Sequence, residues 1–366
     1  MPTSFLANVF PSPGADARPS PCGVLERMPK WLICVPLAAQ WCWLGLRYRS
    51  LTLPSAANPC ITSGGLVGEG KLEYFEQLGR TGRAATPLYV GVHDIAALSA
   101  CELASILGSA GIVFPVVAKP DLGLCGYGVC KLDTLAALLE YATRFPAGEC
   151  LVLQQYLPQE HEAGIFYVRD PRSGAGRLIG LALRYYPRVQ GDGCSTLGEL
   201  VRKDPRAARM LRSPAHACPH DRASGPAAGQ TVRRATIGST RVGGLYRDGG
   251  ALITQALTAA VDQIAREMPE FHFGRFDVRF DDVRELQAGR GFAIMEINGA
   301  GSEAIHAWDP ELGLAAGLRT VFAKQRLLFE IGAANRARGV RALRLRELIR
   351  LNRRQNRLID LYPPSN

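Results

Sequence analysis

Two stretches, HFGRFDVRF at 272–280 and FAIMEINGAGSE at 292–303, decide how the chain is read. Side chains alternate across a strand, so Phe276, Val278 and Phe280 share one face of the first while Arg275, Asp277 and Arg279 share the other. In the second, Met295 and Ile297 face one way and Glu296 and Asn298 the other. If the two strands are neighbours, Asp277, Glu296 and Asn298 meet on one surface as hard oxygen ligands. Magnesium prefers such donors and commonly sits between protein carboxylates and substrate phosphates. Charged residues on one strand face ordinarily mean only a solvated face. Glu296 and Asn298, however, interrupt an apolar run and lead into Gly299–Ser302, a backbone suited to holding an anion. Arg275 adds a rigid fork of donors that suits a transferring phosphoryl group or a tetrahedral oxyanion.

Upstream, IVFPVVAK at 112–119 is short and β-branched, the pattern of a buried strand. The turn GLCGYG, Gly123–Gly128, separates it from a second strand at Val129–Leu132. A strand, a lysine (Lys119) and a glycine-rich turn can fold backbone N–H groups over phosphates, because glycine permits close approach and positive φ. No GxxxxGK[ST] motif leads into a helix, so this is not a P-loop, and a tight turn beside an exposed lysine is the plainer alternative. Leu135, Leu138, Leu139 and Ala142 then trace a helix with Asp133 placed to cap it, and Cys150–Leu157 reads as a further strand.

The remaining elements follow the same periodicities. A helix is expected from Lys71 past Gly79, and another after His93. Strands are expected near Ala163–Val168 and Leu178–Tyr186, then a short helix from Ser195 to Val201. Residues 205–231 read as a mobile loop. An amphipathic helix follows from Ile253 to Met268, and a last helix from about Glu311 to Ile331. Antiparallel strands with helices to one side give an α+β class: two α+β lobes meeting at a cleft.

Composition sets outer bounds. At 366 residues, 47% hydrophobic and 21% charged, the chain can hold two lobes with real cores. The net charge of +10 is concentrated in arginines between Arg336 and Arg357, without the aromatic interleaving of a nucleic-acid surface. That run reads as a solvated basic helix or a contact for a membrane or acidic partner. The ten cysteines lack framework spacing and read as reduced thiols, and His216, Cys218 and His220 read as part of a loop rather than a metal site. The apolar segment Trp31–Leu46 falls short of the roughly 20 residues needed to span a bilayer. A buried core element and a membrane-surface helix both fit it, given its tryptophans and basic flanks.

The order FPVVAKP with GLCGYGV, LVLQQYL, GDGCSTLGEL, GRFDVRF and MEINGAGSE resembles the ATP-grasp superfamily, particularly carboxylate–amine ligases similar to D-alanine–D-alanine ligase and cyanophycin synthetase. The resemblance covers about 60–330 and implies an ATP-grasp fold clasping ATP, with Mg2+ or Mn2+. It divides the chain into a Pro-rich start (1–30), a short atypical region (31–105), a small lobe (106–160), a large lobe bearing the metal site (161–335) and a basic helical tail (336–366). It implies that Lys71 and Lys119 reach the phosphates and that Gly123, Gly126 and Gly128 belong to a flap over them. Gln154, Gln155, Tyr156 and Leu157 then form the hinge at the adenine edge, and Glu162 holds the ribose. Asp277, Glu296 and Asn298 become the metal ligands, while Arg275, Gly301 and Ser302 stabilise the transition state. Gln154 stands where such enzymes often carry an acidic residue, and Cys125 is unusual in a flap. The expected activity joins a carboxylate, on an amino acid or peptide, to an amine through an acyl phosphate. Arg184 and Arg188 are candidates to bind a second substrate carboxylate, or are plain surface arginines. A kinase using the same site, or a non-catalytic nucleotide-binding or membrane-peripheral scaffold, are the alternatives. Expected partners are small-molecule carboxylate and amine substrates and no nucleic acid, with a homodimer permitted. The expected location is cytoplasmic, with 31–46 or the basic tail as the membrane contact.

Overall fold

The computed structural model describes residues 22–212, 224–236 and 238–366. Most of the Pro-rich start and the His216, Cys218, His220 cluster therefore lie outside the described residues. Two antiparallel sheets organise the rest. The smaller has four strands in the order β1 (Tyr89–His93), β4 (Cys150–Gln155), β2 (Val116–Pro120) and β3 (Cys130–Leu132). The larger has five, in the order β11 (Phe292–Asn298), β10 (Phe273–Phe280), β5 (His161–Arg169), β6 (Gly176–Tyr185) and β9 (Leu245–Asp248). A two-stranded ribbon pairs β7 (Arg188–Gln190) with β8 (Thr231–Arg233). This is the two-lobed α+β architecture, with no closed barrel among the described residues.

Each sheet buries one face under helices. In the large lobe, Leu257, Val261 and Ile264 of the helix Gln255–Glu267 pack on Ile165, Phe276, Val278 and Phe280. In the small lobe, Leu103 and Leu138 from the helices Ala100–Ser109 and Leu135–Ala142 pack on Val116, Leu151 and Leu153. The other face of the large sheet carries Arg275, Asp277 and Glu162 and looks into the cleft.

Several elements differ from expectation. The helix from Lys71 ends at Glu76 and a new one starts at Arg80, because Gly79 lies in an extended conformation at its N-cap. The strand β1, with polar and glycine positions and little alternation, was not legible. Thr134, not Asp133, caps its helix by accepting from the Ala137 N–H, while Asp133 pairs with Lys131. The helix expected from Ser195 to Val201 runs Leu197–Lys203, capped by Thr196 in a box closed by Glu199. The last predicted helix runs further, Leu314–Ala337, and a separate helix covers Leu345–Ile359. Within 205–231, the segment Ala207–Arg212 forms a 3-10 turn.

Two terminal segments are integrated rather than solvated. The helix Lys30–Arg47 lies against Leu314–Ala337, with Leu44 buried beside Phe329 and Leu53, and Gln40 donating to the Phe322 carbonyl at 2.8 Å. Among the described residues no helix is long and apolar enough to cross a membrane. In the arginine-rich tail, Leu358 and Tyr362 enter the small-lobe core, and Tyr362 donates to the Leu122 carbonyl at 2.6 Å. Its arginines line the outer side. Truncating Leu358 should therefore cost about 2–4 kcal/mol. The Leu358→Ala chain should melt several degrees lower, and the exposed Arg353→Ala control should not. Equal melting of the two would mean the tail does not belong to the core.

Candidate active site

A cleft of about 900 Å3 separates the two sheets, and every residue proposed from sequence lines it except Gly128 and Arg188. Gly128 has φ +70°, and a Cβ there would lie 2.7 Å from the Pro120 ring, so it shapes the turn from behind. Gly123 lies directly over Lys71: a Cβ would come 2.7 Å from the ammonium. The turn is held from outside by Gln355, which donates to the Gly123 carbonyl at 3.3 Å.

The cations come from two places: Lys119 from β2 of the small lobe, and Lys71 from the helix Lys71–Glu76, whose Tyr74 and Phe75 pack in the large-lobe core. Lys71 Nζ donates to the Pro120 carbonyl at 2.8 Å and stands 3.7 Å from Glu296 Oε1. Lys119 Nζ donates to Gln154 Oε1 at 2.5 Å and to the Met295 carbonyl at 3.1 Å, and forms no ion pair with a described residue. Burial lowers the Lys119 ammonium to about 8, with Glu296 opposing the shift. At the hinge, Leu157 O accepts from Arg279, whose Nη2 also donates to the Tyr186 hydroxyl at 2.7 Å. Gln155 turns away to accept the Val113 N–H at 2.9 Å.

The large lobe supplies the carboxylates. The register sets Asp277 opposite Glu296 and Arg275 opposite Asn298, with a bulge after Asp277. Asp277 is fully buried: Arg275 grips both its oxygens at 2.6 and 2.9 Å, and Arg184 reaches Oδ2 at 3.0 Å. Burial alone would raise the Asp277 carboxyl, but the two guanidinium groups outweigh it and hold it below the usual range. Arg184 also donates to Glu162 Oε1 at 2.7 Å, and Tyr186 donates to Oε2 at 2.5 Å. Arg184 is thus spent bridging two carboxylates and is not a free substrate anchor, while Arg188 pairs with Glu160 at the surface.

The backbone of the Gly299–Ser302 turn corrects one expectation. The Gly301 N–H already donates to the Gly65 carbonyl at 2.5 Å, and the Ser302 N–H to the Gly299 carbonyl at 3.0 Å. Neither is left to hold an oxyanion. The donors that remain are the Ser302 hydroxyl, buried without a partner, and the unused N–H groups of Arg275. Lys324, from a distant helix, donates to the Ser302 carbonyl and steadies the turn; nothing in its sequence neighbourhood marks it. Arg279 was legible as the third residue on the charged face of β10.

A metal ion fits this donor set in part. No three His, Cys, Asp or Glu side chains converge among the described residues. Glu296 is about a third exposed, and Asn298 spends its Nδ2 on Asp277 at 3.1 Å, leaving Oδ1 as an acceptor. Asp277 Oδ2 already has three donors, so Asp277 becomes a ligand only when an arginine moves off. One or two carboxylates plus phosphate oxygens is the environment that suits Mg2+.

No family model and no curated protein sequence matches the chain. Among solved structures it is similar to a bifunctional glutathione synthetase from Pasteurella multocida, at 17% identity and TM-score 0.36 over 66% of this chain and 33% of that one. It is similar to the ADP complex of PurK, an N5-carboxyaminoimidazole ribonucleotide synthetase, at 14% identity and TM-score 0.35 over 68% and 48%. A carboxyaminoimidazole ribonucleotide synthase from Aspergillus clavatus, complexed with ATP, aligns at 10% identity and TM-score 0.35 over 64% and 44%. These are ATP-grasp enzymes, and the chain spans less than half the length of each.

The two cleft carboxylates have different physical roles in the protein without ligands. Asp277→Ala leaves the buried Arg275 without its carboxylate and Arg184 with Glu162 alone, and should cost about 3–5 kcal/mol. Glu296→Ala removes a partly exposed group and should stay within about 0.5 kcal/mol of the parent. Denaturant midpoints of the two variants test this; equal midpoints would contradict the buried charge cluster.

Proposed function

We propose that the chain is an ATP-grasp ligase that joins a carboxylate to an amine through an acyl phosphate. The observation that carries this reading is the opposition, across one cleft, of Lys71 and Lys119 to Arg275, Asp277, Glu296 and Asn298. The order of motifs that resembles carboxylate–amine ligases supports it independently. In this reading the triphosphate lies under the Gly123–Gly128 turn, its charge met by Lys71 and Lys119. Glu296, Asn298 Oδ1 and Asp277 are the residues that would hold Mg2+, Asp277 only with Arg184 or Arg275 displaced from it. Bound there, the cation neutralises charge on the phosphate oxygens.

The chemistry then follows from charge. A substrate carboxylate oxygen attacks the γ-phosphorus, the bond to the β-phosphate oxygen breaks, and ADP leaves with an acyl phosphate formed. The amine next attacks the acyl carbon, loses a proton, and expels phosphate. Arg275 and the Ser302 hydroxyl meet the negative charge on the tetrahedral carbon. The flap, braced by Gln355, excludes water that would otherwise hydrolyse the acyl phosphate.

Purified protein with ATP and Mg2+ should release ADP only when a carboxylate and an amine are both supplied. Arg275→Met should lower that rate by about 10²- to 10³-fold, the usual effect of losing a transition-state donor. ADP release that needs no amine and yields a stable phosphorylated product would replace the ligase reading with a kinase.

A further inference from the structure

Part of the cleft lining, an apolar arm near the Gly299–Ser302 turn, is not used by the proposed reaction. Among the described residues its walls are Leu25, Met28, Ile33, Leu66, Val67 and Trp308. It starts at the reacting end: a Cβ on Gly301 would lie 2.5 Å from the Leu66 carbonyl. The one charged side chain on the wall from the first helices, Glu26, is already matched by Arg206 at 2.7 Å and Arg209 at 3.1 Å. Along these apolar walls an apolar substituent would gain by leaving water. The whole cleft, about 900 Å3, is near the upper end of small-molecule sites.

We propose that this arm receives the apolar tail of the carboxylate substrate, so that the substrate is an amphiphilic carboxylate with its headgroup at Arg275. The assignment rests on the ligase reading for the headgroup and on the arm's own lining for the tail. Trp308 provides a direct probe. In a Trp31→Phe, Trp41→Phe, Trp43→Phe chain it is the only tryptophan of the four. Its fluorescence should be quenched saturably by 11-bromoundecanoate and not by bromoacetate, and Val67→Asp should abolish the effect. KM for carboxylate-dependent ADP release should fall about threefold with each methylene that the arm accommodates. Should the triple variant not fold, thermal protection of the unaltered chain by undecanoate over butyrate reads the same property. Absence of both quenching and protection, with ADP released on short polar carboxylates, overturns the arm and leaves the ligase. Saturable quenching with no ADP from any carboxylate keeps the arm and overturns the ligase.

A separate observation concerns the outer side of the helix Lys30–Arg47. Trp31, Val35, Trp43 and Leu46 are 67%, 59%, 54% and 78% exposed, with Arg27, Arg47 and Arg49 at its ends. No Asp or Glu occurs between Arg27 and Gly68. We infer that this face seats on an anionic bilayer: tryptophans suit the interfacial region and the arginines suit acidic headgroups. A second copy fits less well, because a two-fold contact would set each arginine group against its own kind. Flotation with phosphatidylcholine vesicles containing about a third phosphatidylglycerol should carry the protein, and pure phosphatidylcholine should not. Trp31→Ser with Trp43→Ser, or Arg47→Glu with Arg49→Glu, should each abolish it. No flotation, or a concentration-dependent dimer lost in the tryptophan variant, overturns the inference.

Discussion

The Asp277 carboxylate, wholly out of water between Arg275 and Arg184, is the constraint around which the large lobe is built. Arg184 comes from β6 and must cross β5 to reach it, which fixes the strand order β10, β5, β6 at this point. The residue in between, Gly164, has to lack a side chain: a Cβ would lie 3.0 Å from Arg275 and 3.1 Å from Asp277 Oδ1. Buried ion clusters are poor sources of stability, since apolar residues of equal volume often serve as well. A fold that keeps this one, on the face opening into a cleft, gains a store of oriented charge that an incoming anion can redistribute.

A second constraint is backbone against backbone. Gly64 and Gly65 approach Gly299–Gly301 so closely that Ala300 and Gly301 donate to their carbonyls. Asn58 locks the same seam, donating to Gly64 O and Phe273 O at 2.9 Å and accepting from the His272 and Phe273 N–H groups. The glycines of the turn after β11 therefore serve packing, not anion capture. The donors for a developing charge move to side chains, Ser302 and Arg275, and the turn itself is rigid.

This explains which parts of the molecule the sequence disclosed. Alternation in β10 and β11 reveals which side chains share a face, and the observed register sets them opposite one another. It cannot reveal what else reaches that face. Arg184 and Lys324 arrive from elements far along the chain, and the Gly301 N–H is consumed by a segment more than two hundred residues earlier. Periodicity also fails where an element is short and lies at a sheet edge, as β1 does, and where a break depends on one glycine, as at Gly79. The arginine-rich tail misled for a related reason: composition describes its outer side, while Leu358 and Tyr362 decide where it packs.

The charge balance of the cleft follows from these contacts. Asp277 and Glu162 are already compensated by arginines, and burial raises the Glu69 carboxyl to about 7, so it is only about half ionised near neutrality. Lys119, by contrast, has amide and carbonyl partners and, among the described residues, no ion-paired carboxylate, and burial has brought its ammonium down to about 8 against the pull of Glu296. A buried cation without an ion-pair partner is costly in the free protein and would be relieved by a polyanion. Binding a triphosphate would therefore raise the Lys119 pKa, draw Arg184 and Arg275 toward the phosphates, and uncover Asp277 for a metal. In the proposed ligase, electrostatics alone would therefore set the order, with phosphate meeting the lysines before Asp277 is free to take part in a metal site.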